Sequence, residues 1–327
     1  MKRSVLVLMI CLLTQWSGAQ DKSQNPHPNG RTSFNKDSIS VLDFYRQFSS
    51  FTDPGEYEYL YKNLPDALPE LCDLIRTQFI HPMAHLPRVR DQLPTERRHD
   101  ESANYPSVSS ILTGLVSYDS RGLIKNRKIE NRLIAGCRQN AILLASILKY
   151  RGIPARVRAG HSTYLRPGFH LSHTICEVWN ENDKRWMLVD PSTAMVDFDR
   201  DQFEFSNELW LKLQNGEIDL KKYGFPGRYS GLVSIVGKVS PDLASLLGNE
   251  YPVFRYAPML DYVFEYDELT AEQIETLNKI SKLMLTLDSD NISQLQEIYD
   301  QNPDIQITRS FDKGSNSTDI REKSINK

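Results

Sequence analysis

Cys137 is the residue with the most chemical promise in this chain. It follows Gly136 and opens a segment in which Cys137, Ala141, Leu144, Ala145 and Leu148 recur at helical spacing. A helix N-terminus carries about half a positive charge and unpaired N–H groups, so a cysteine placed there is biased toward thiolate. The same groups can hold the oxyanion formed when sulfur attacks a carbonyl, and the Cys137 backbone N–H is the candidate donor. By position alone, a buried cysteine serving as a small apolar residue fits equally well.

His173 and Asp190 favour the chemical reading. Segments 171–180 and 184–190 have the pattern of strands, and Asn180-Glu181-Asn182-Asp183 between them has the composition of a hairpin turn. If Asn180 faces Asp183, His173 lies directly across from Asp190 on the same face, with Cβ atoms ~4.5–5.5 Å apart. The carboxylate then takes a hydrogen bond from one imidazole nitrogen and leaves the other free to deprotonate a thiol. Acyl transfer through a nucleophile needs that order: a base beside the nucleophile, and a third group fixing the tautomer of the base. A one-residue slip in the register would send every side chain to the other face.

The elements that must position these groups are a helix over 137–151, closed by Gly152 and Pro154, and extended segments at about 155–161, 171–180 and 184–190. Upstream, Leu42, Tyr45 and Phe48 share one helical face, and Leu71, Leu74, Ile75 and Phe79 share another after Pro69. Residues 82–106, with their prolines and charge clusters, read as an irregular connection before a short helix marked by Ile111, Leu112 and Leu115. Beyond residue 200, Ser240-Pro241 is expected to start a helix that Gly248 ends, Thr270 and Gln273 form a capping box, and Ile292, Leu295 and Ile298 mark a last helix. Helices flanking a small antiparallel sheet indicate an α+β fold. A single domain over 39–307 is expected, after a polar flexible leader at 20–38 and before a polar tail at 308–327.

Gly136-Cys137-Arg138-Gln139-Asn140-Ala141, then Leu148 and Gly152-Ile153-Pro154-Ala155-Arg156, resemble the core of the transglutaminase-like superfamily. So do His173 with Glu177-Val178-Trp179, Arg185-Trp186 and Val189-Asp190-Pro191. The resemblance covers about residues 110–195, and the flanks at 64–82 and 205–223 resemble bacterial members more loosely. It implies a papain-like core, a nucleophile helix packed on a small antiparallel sheet with helical flanks on either side. It also implies Cys137 as nucleophile, His173 as general base and acid, and Asp190 as orienter. Animal crosslinking enzymes of that group place a tryptophan near the oxyanion, upstream of the cysteine. Here no tryptophan lies between residue 20 and Trp179, which argues against crosslinking.

Other features narrow the function class. The formal charge of −3 offers no electrostatic case for a nucleic-acid partner. Lys2 and Arg3, the apolar run at 5–13 and Ser17-Gly18-Ala19 read as a signal peptide over 1–19, so export to a periplasmic or extracellular space is expected. That run is short of the ~20 residues of a membrane span, and none is expected elsewhere. Cys72, Cys137 and Cys176 then form an odd set, leaving at least one thiol free, with Cys72–Cys176 the conceivable pair. His170 and His173 are three apart on a strand and diverge, His81 and His85 flank Pro82, and no Cys-x-x-Cys exists, so no metal and no cofactor is expected. Arg156 and Arg158 alternate with Val157 and read as a solvated face; Trp179 and Trp186 read as core. Tyr164, between His161 and His170, is the candidate substrate contact.

Three functions follow as alternatives. The leading one is a cysteine-dependent hydrolase or acyltransferase acting through a thioester on peptide or protein amides, such as those of the cell envelope. The second resolves the thioester with an amine and crosslinks proteins. The third is a peptide- or glycan-binding module that makes no use of the complete nucleophile, base and orienter.

Overall fold

The computed structural model describes residues 34–311 except 36, 227 and 228; the expected signal peptide and most of the expected leader and tail lie outside the described residues. In chain order the elements are α1 (Val41–Arg46), α2 (Leu68–Arg76), β1 (Phe79–Ile80), α3 (Leu86–Val89), α4 (Val108–Tyr118), β2 (Leu133–Ile134) and α5 (Cys137–Tyr150). A meander follows: β3 (Ala155–Ser162), β4 (His170–Asn180), β5 (Arg185–Asp190), β6 (Met195–Val196) and β7 (Phe203–Phe205). The remainder comprises α6 (Ser206–Gln214), β8 (Tyr223–Phe225), β9 (Tyr229–Ser230), α7 (Leu232–Leu246), β10 (Arg255–Tyr256), α8 (Met259–Tyr266), α9 (Ala271–Leu283), α10 (Ser289–Gln301) and β11 (Arg309–Ser310). The fold is α+β: a seven-stranded, mostly antiparallel sheet in the order β6-β5-β4-β3-β7, with β8 paired to β4 and β9 to β8, and helices around it.

Helix α5 forms where expected but is buried on all sides rather than on one face. Every residue from Arg138 to Lys149 is buried. Its apolar residues pack with α2 and α4 on one flank and with Ala155, Val157, Cys176, Val178 and Val189 of the sheet on the other. Each buried Leu or Ile contributes roughly 1.5–3 kcal/mol, which fixes the helix as a rigid post. Its two buried cations find partners outside the helix, although Nε and Nη1 of Arg138 make no hydrogen bond. Arg138 donates to the carbonyls of Pro106 and Glu250, and Lys149 lies 3.7 Å from the Glu250 carboxylate.

The hairpin differs from expectation by two residues. Asn180 pairs with Arg185, not Asp183, and Cys176 pairs with Val189. The cause is local: Asn180 Oδ1 accepts the backbone N–H groups of Asn182 and Asp183, and its amide donates to the Asp183 carboxylate at 2.8 Å. This Asx turn draws Asp183 into the loop, and Lys184 takes a left-handed φ of 51° to close it. A two-residue shift preserves the parity of the faces, so His173 and Asp190 still share one. They are now diagonal neighbours, not directly opposed.

Two other expectations are corrected. Arg156 and Arg158 are buried, not solvated: both donate to Glu177 Oε2 at 2.7 Å, and Arg158 also binds Asp242 of α7. Arg156 lies 4.0 Å from the centre of the Trp186 ring. Pro241 sits inside α7 rather than at its start. Ile235, Val236, Val239 and Leu243 are all buried, and this tertiary packing outweighs the backbone bond that proline removes. Within the expected leader, Phe34 is buried edge-on against Phe44.

Asp242 ties α7 to the sheet, accepting from Arg158, the Ala159 N–H and Ser206. Its loss would strand buried donors. Asp242→Ala is expected to cost about 3–5 kcal/mol in urea unfolding, whereas a cost within about 0.5 kcal/mol would show the network to be dispensable.

Candidate active site

The sheet is interrupted where the site forms. Strand β3 accompanies β4 from Leu171 to Val178, but on the other side of β4 the strand β5 pairs only with 176–180 and β8 only with 170–171. Among the described residues, 172–175 therefore lack a strand neighbour on that side. Into this gap opens a cavity of about 390 Å³, lined by His173 of β4, Ser192 and Thr193 of the turn after β5, Asn140 from α5, and Phe79 and His81 from β1 and its end. Across β3, Gly160 pairs with His173. A side chain at Gly160 would collide with the Glu204 carbonyl and the Phe203 ring, so glycine lets β7 approach close behind the histidine.

Asp190 ends β5 with its side chain fully buried. Its Oδ2 lies 2.9 Å from His173 Nε2 and accepts the hydroxyls of Tyr164 and Thr193 at 2.8 Å, while Oδ1 accepts the Ser192 N–H. Burial alone would raise its pKa. The His173 charge and the converging donors outweigh that and hold the carboxyl down to about 2. His173 responds in the opposite sense: burial would lower its pKa, but Asp190 and Cys137 raise it to about 10. Because Nε2 is taken by the carboxylate, Nδ1 is the nitrogen left for the thiol.

Cys137 is partly exposed, as the first residue of α5 behind Gly136, and no side chain caps the helix. Burial pushes its thiol up, yet the charge and hydrogen bond of His173, then those of His81, bring it well below the ordinary thiol range. Asn140, one turn on, donates from Nδ2 to the Gly136 carbonyl at 3.0 Å and steadies the peptide just ahead of the sulfur. Cys72 and Cys176 are the counterexamples. Both are buried and unbridged, and burial raises their pKa, Cys72 to about 12. Cys176 donates to the Ala141 carbonyl, as a packing residue does. The arrangement can therefore hold a thiolate at one sulfur alone, beside a proton donor and an open cavity.

The structure brings Cys137, His173 and Asp190 together. It places Tyr164 with them, its hydroxyl on Asp190 and its ring centre 6.2 Å from that of His173; Leu165 and Arg166 of the same loop line the cavity. Trp179 and Trp186 pack on each other at the far end of the hairpin. His161 and His170 are engaged elsewhere, with Ser234 and Glu204, and no group of metal-ligating side chains forms among the described residues. One neighbour of the sulfur was not foreseen: His81. It reaches Cys137 through the parallel pairing of Phe79–Ile80 with Leu133–Ile134, in which the Ala135 N–H donates to the Ile80 carbonyl. A two-residue parallel bridge between distant segments leaves no periodic trace in the sequence.

No family model matches the chain, and no curated protein matches it. Among solved structures it is similar to a candidate cysteine protease from Cytophaga hutchinsonii, at 12% identity and a TM-score of 0.30. That alignment covers 52% of this chain and spans about half, 47%, of the other. So distant a likeness carries no argument, and the functional reading rests on the geometry.

If Asp190 is what keeps His173 protonated, removing its charge must release the ring. Asp190→Asn is expected to lower the His173 pKa by roughly 1–3 pH units, read by NMR titration of the imidazole. An unchanged titration would show that the carboxylate does not govern the base.

Proposed function

We propose that the protein is an exported cysteine-dependent amide hydrolase of the transglutaminase-like type. The observation that carries this reading is the row formed by Cys137, His173 and Asp190, of which His173 lines the cavity. The Cys137 thiolate attacks the amide carbonyl carbon, forming a C–S bond while the carbonyl electron pair moves to oxygen. As that pair returns, the C–N bond breaks and the departing amine takes the proton from His173 Nδ1. His173, now neutral, removes a proton from water, which attacks the thioester and frees the acid and the sulfur. Asp190 keeps the ring oriented and stabilises its charge in each half of the cycle.

Hydrolysis is preferred to amine transfer because an exported enzyme works in abundant water. Export itself rests on Lys2, Arg3, the apolar run at 5–13 and the small residues at 17–19. No helix among the described residues is long and apolar enough to cross a membrane. The substrate class is a peptide or protein amide, cell-envelope peptides included. The cavity has apolar walls at Phe79, Leu165 and Phe225 to receive a side chain next to the scissile bond.

The test is turnover of a peptide-amide library by the mature chain and by Cys137→Ala. Loss of at least about a thousandfold in the variant is expected, since the nucleophile and its base act as one unit. Wild-type turnover by Cys137→Ala would reject the mechanism. Release of free acid, with no incorporation of a labelled primary amine into glutamine-containing protein, is expected for a hydrolase.

A further inference from the structure

The row of three accounts for the nucleophile and the proton, but a tetrahedral intermediate also needs donors for its oxygen, and the Cys137 N–H supplies only one. His81 stands where a second would act. Its Nδ1 accepts the backbone N–H groups of Met83 and Ala84, each at 3.2 Å, in the tight turn after Pro82. A nitrogen that accepts cannot also carry the ring hydrogen, so the neutral ring bears its hydrogen on Nε2. That Nε2 points back at the nucleophile: a Cβ built on Gly136 would lie 3.9 Å from it. His81 and His173 line the same cavity.

The placement is built rather than incidental. Gln78, just ahead of β1, is fully buried, donates from its amide to the carbonyls of Leu74 and Ile124, and accepts Arg127 Nε at 2.9 Å. Its own carbonyl accepts the Leu133 N–H. On the other strand, Glu101 binds the Ile134 N–H through its carboxylate and is itself held by Arg97 through two bonds. Both strands leading to the site are thus clamped, and they deliver His81 and Gly136-Cys137 side by side.

We propose that His81 is a catalytic residue, whose Nε2–H donates, together with the Cys137 N–H, to the oxyanion of the tetrahedral intermediate. This deepens the hydrolase reading and rests on it. When the C–S bond forms and the carbonyl pair moves to oxygen, the negative charge meets two fixed donors. When the C–N bond breaks the pair returns to the carbonyl, and His81 neither gains nor loses a proton. A preorganised donor of this kind is worth ~10²–10³ in rate.

Two reagents separate this role from an effect on the sulfur. Acylation of Cys137 by p-nitrophenyl acetate passes through an oxyanion; alkylation by iodoacetamide is a displacement at carbon and does not. His173 is the larger influence holding the sulfur ionised, and His81 the smaller. His81→Ala is therefore expected to slow acylation by about a hundredfold and alkylation far less. His81→Gln, which keeps an N–H donor of similar reach, should recover at least tenfold of that loss. Should His81→Ala fail to fold, His81→Gln measured against wild type carries the test, with acylation reduced far more than alkylation. A parallel fall in both rates, or no fall in acylation, would overturn the oxyanion role and leave the hydrolase reading standing. A wild-type Cys137 inert to both reagents would overturn that reading and the role of His81 with it.

Discussion

A single negative charge, buried at the end of β5, organises the site. A carboxylate out of water is tolerable only when donors surround it, and Asp190 collects four: the imidazole of His173, the hydroxyls of Tyr164 and Thr193, and the Ser192 N–H. Once ionised it requires a cation, and His173 is the one within reach. The imidazolium in turn favours a thiolate at Cys137, where the uncapped start of α5 adds its dipole. Charge thus propagates from carboxylate to ring to sulfur. Tyr164 belongs to this chain of cause: its hydroxyl lowers the Asp190 pKa, while burial and then the same carboxylate raise that of the phenol.

The fold serves this charge by holding still. Helix α5 is encased, and the β3–β4–β5 meander is tied beneath by Arg156, Arg158, Glu177 and Asp242. Buried ion pairs are weak evidence for stability but costly to break, so they resist sliding of α7 over the sheet. The gap beside β4 is the complement of that rigidity. A continuous sheet would leave no route for a substrate to the ring of His173, whereas the parting of β5 from β8 opens one.

The site was legible in the sequence to the extent that local rules govern it. The helix start at Gly136-Cys137 follows from periodicity and the strands from alternation, and the shared face of His173 and Asp190 survives a register error because the pleat has period two. The register itself differs from expectation because Asn180 turns its side chain onto the loop, which composition does not distinguish from a two-residue hairpin. Arg156 and Arg158 depart from expectation for a related reason. A buried arginine and a solvated one look alike until their partners, Glu177 on the next strand and Asp242 far along the chain, are placed. Pro241 inside α7 and His81 beside Cys137 are tertiary outcomes, set by packing and by a short parallel bridge.

Among the three described cysteines, Cys137 alone is ionised at rest. Ultraviolet thiolate absorbance, titrated in the wild-type chain and in Cys137→Ser, tests it most directly. One equivalent of thiolate is expected to persist well below neutral pH in the wild type and to vanish in the variant, because Cys72 and Cys176 stay protonated. Absorbance that grows in only around the ordinary thiol pKa of about 8.5, or one that Cys137→Ser leaves unchanged, would contradict it.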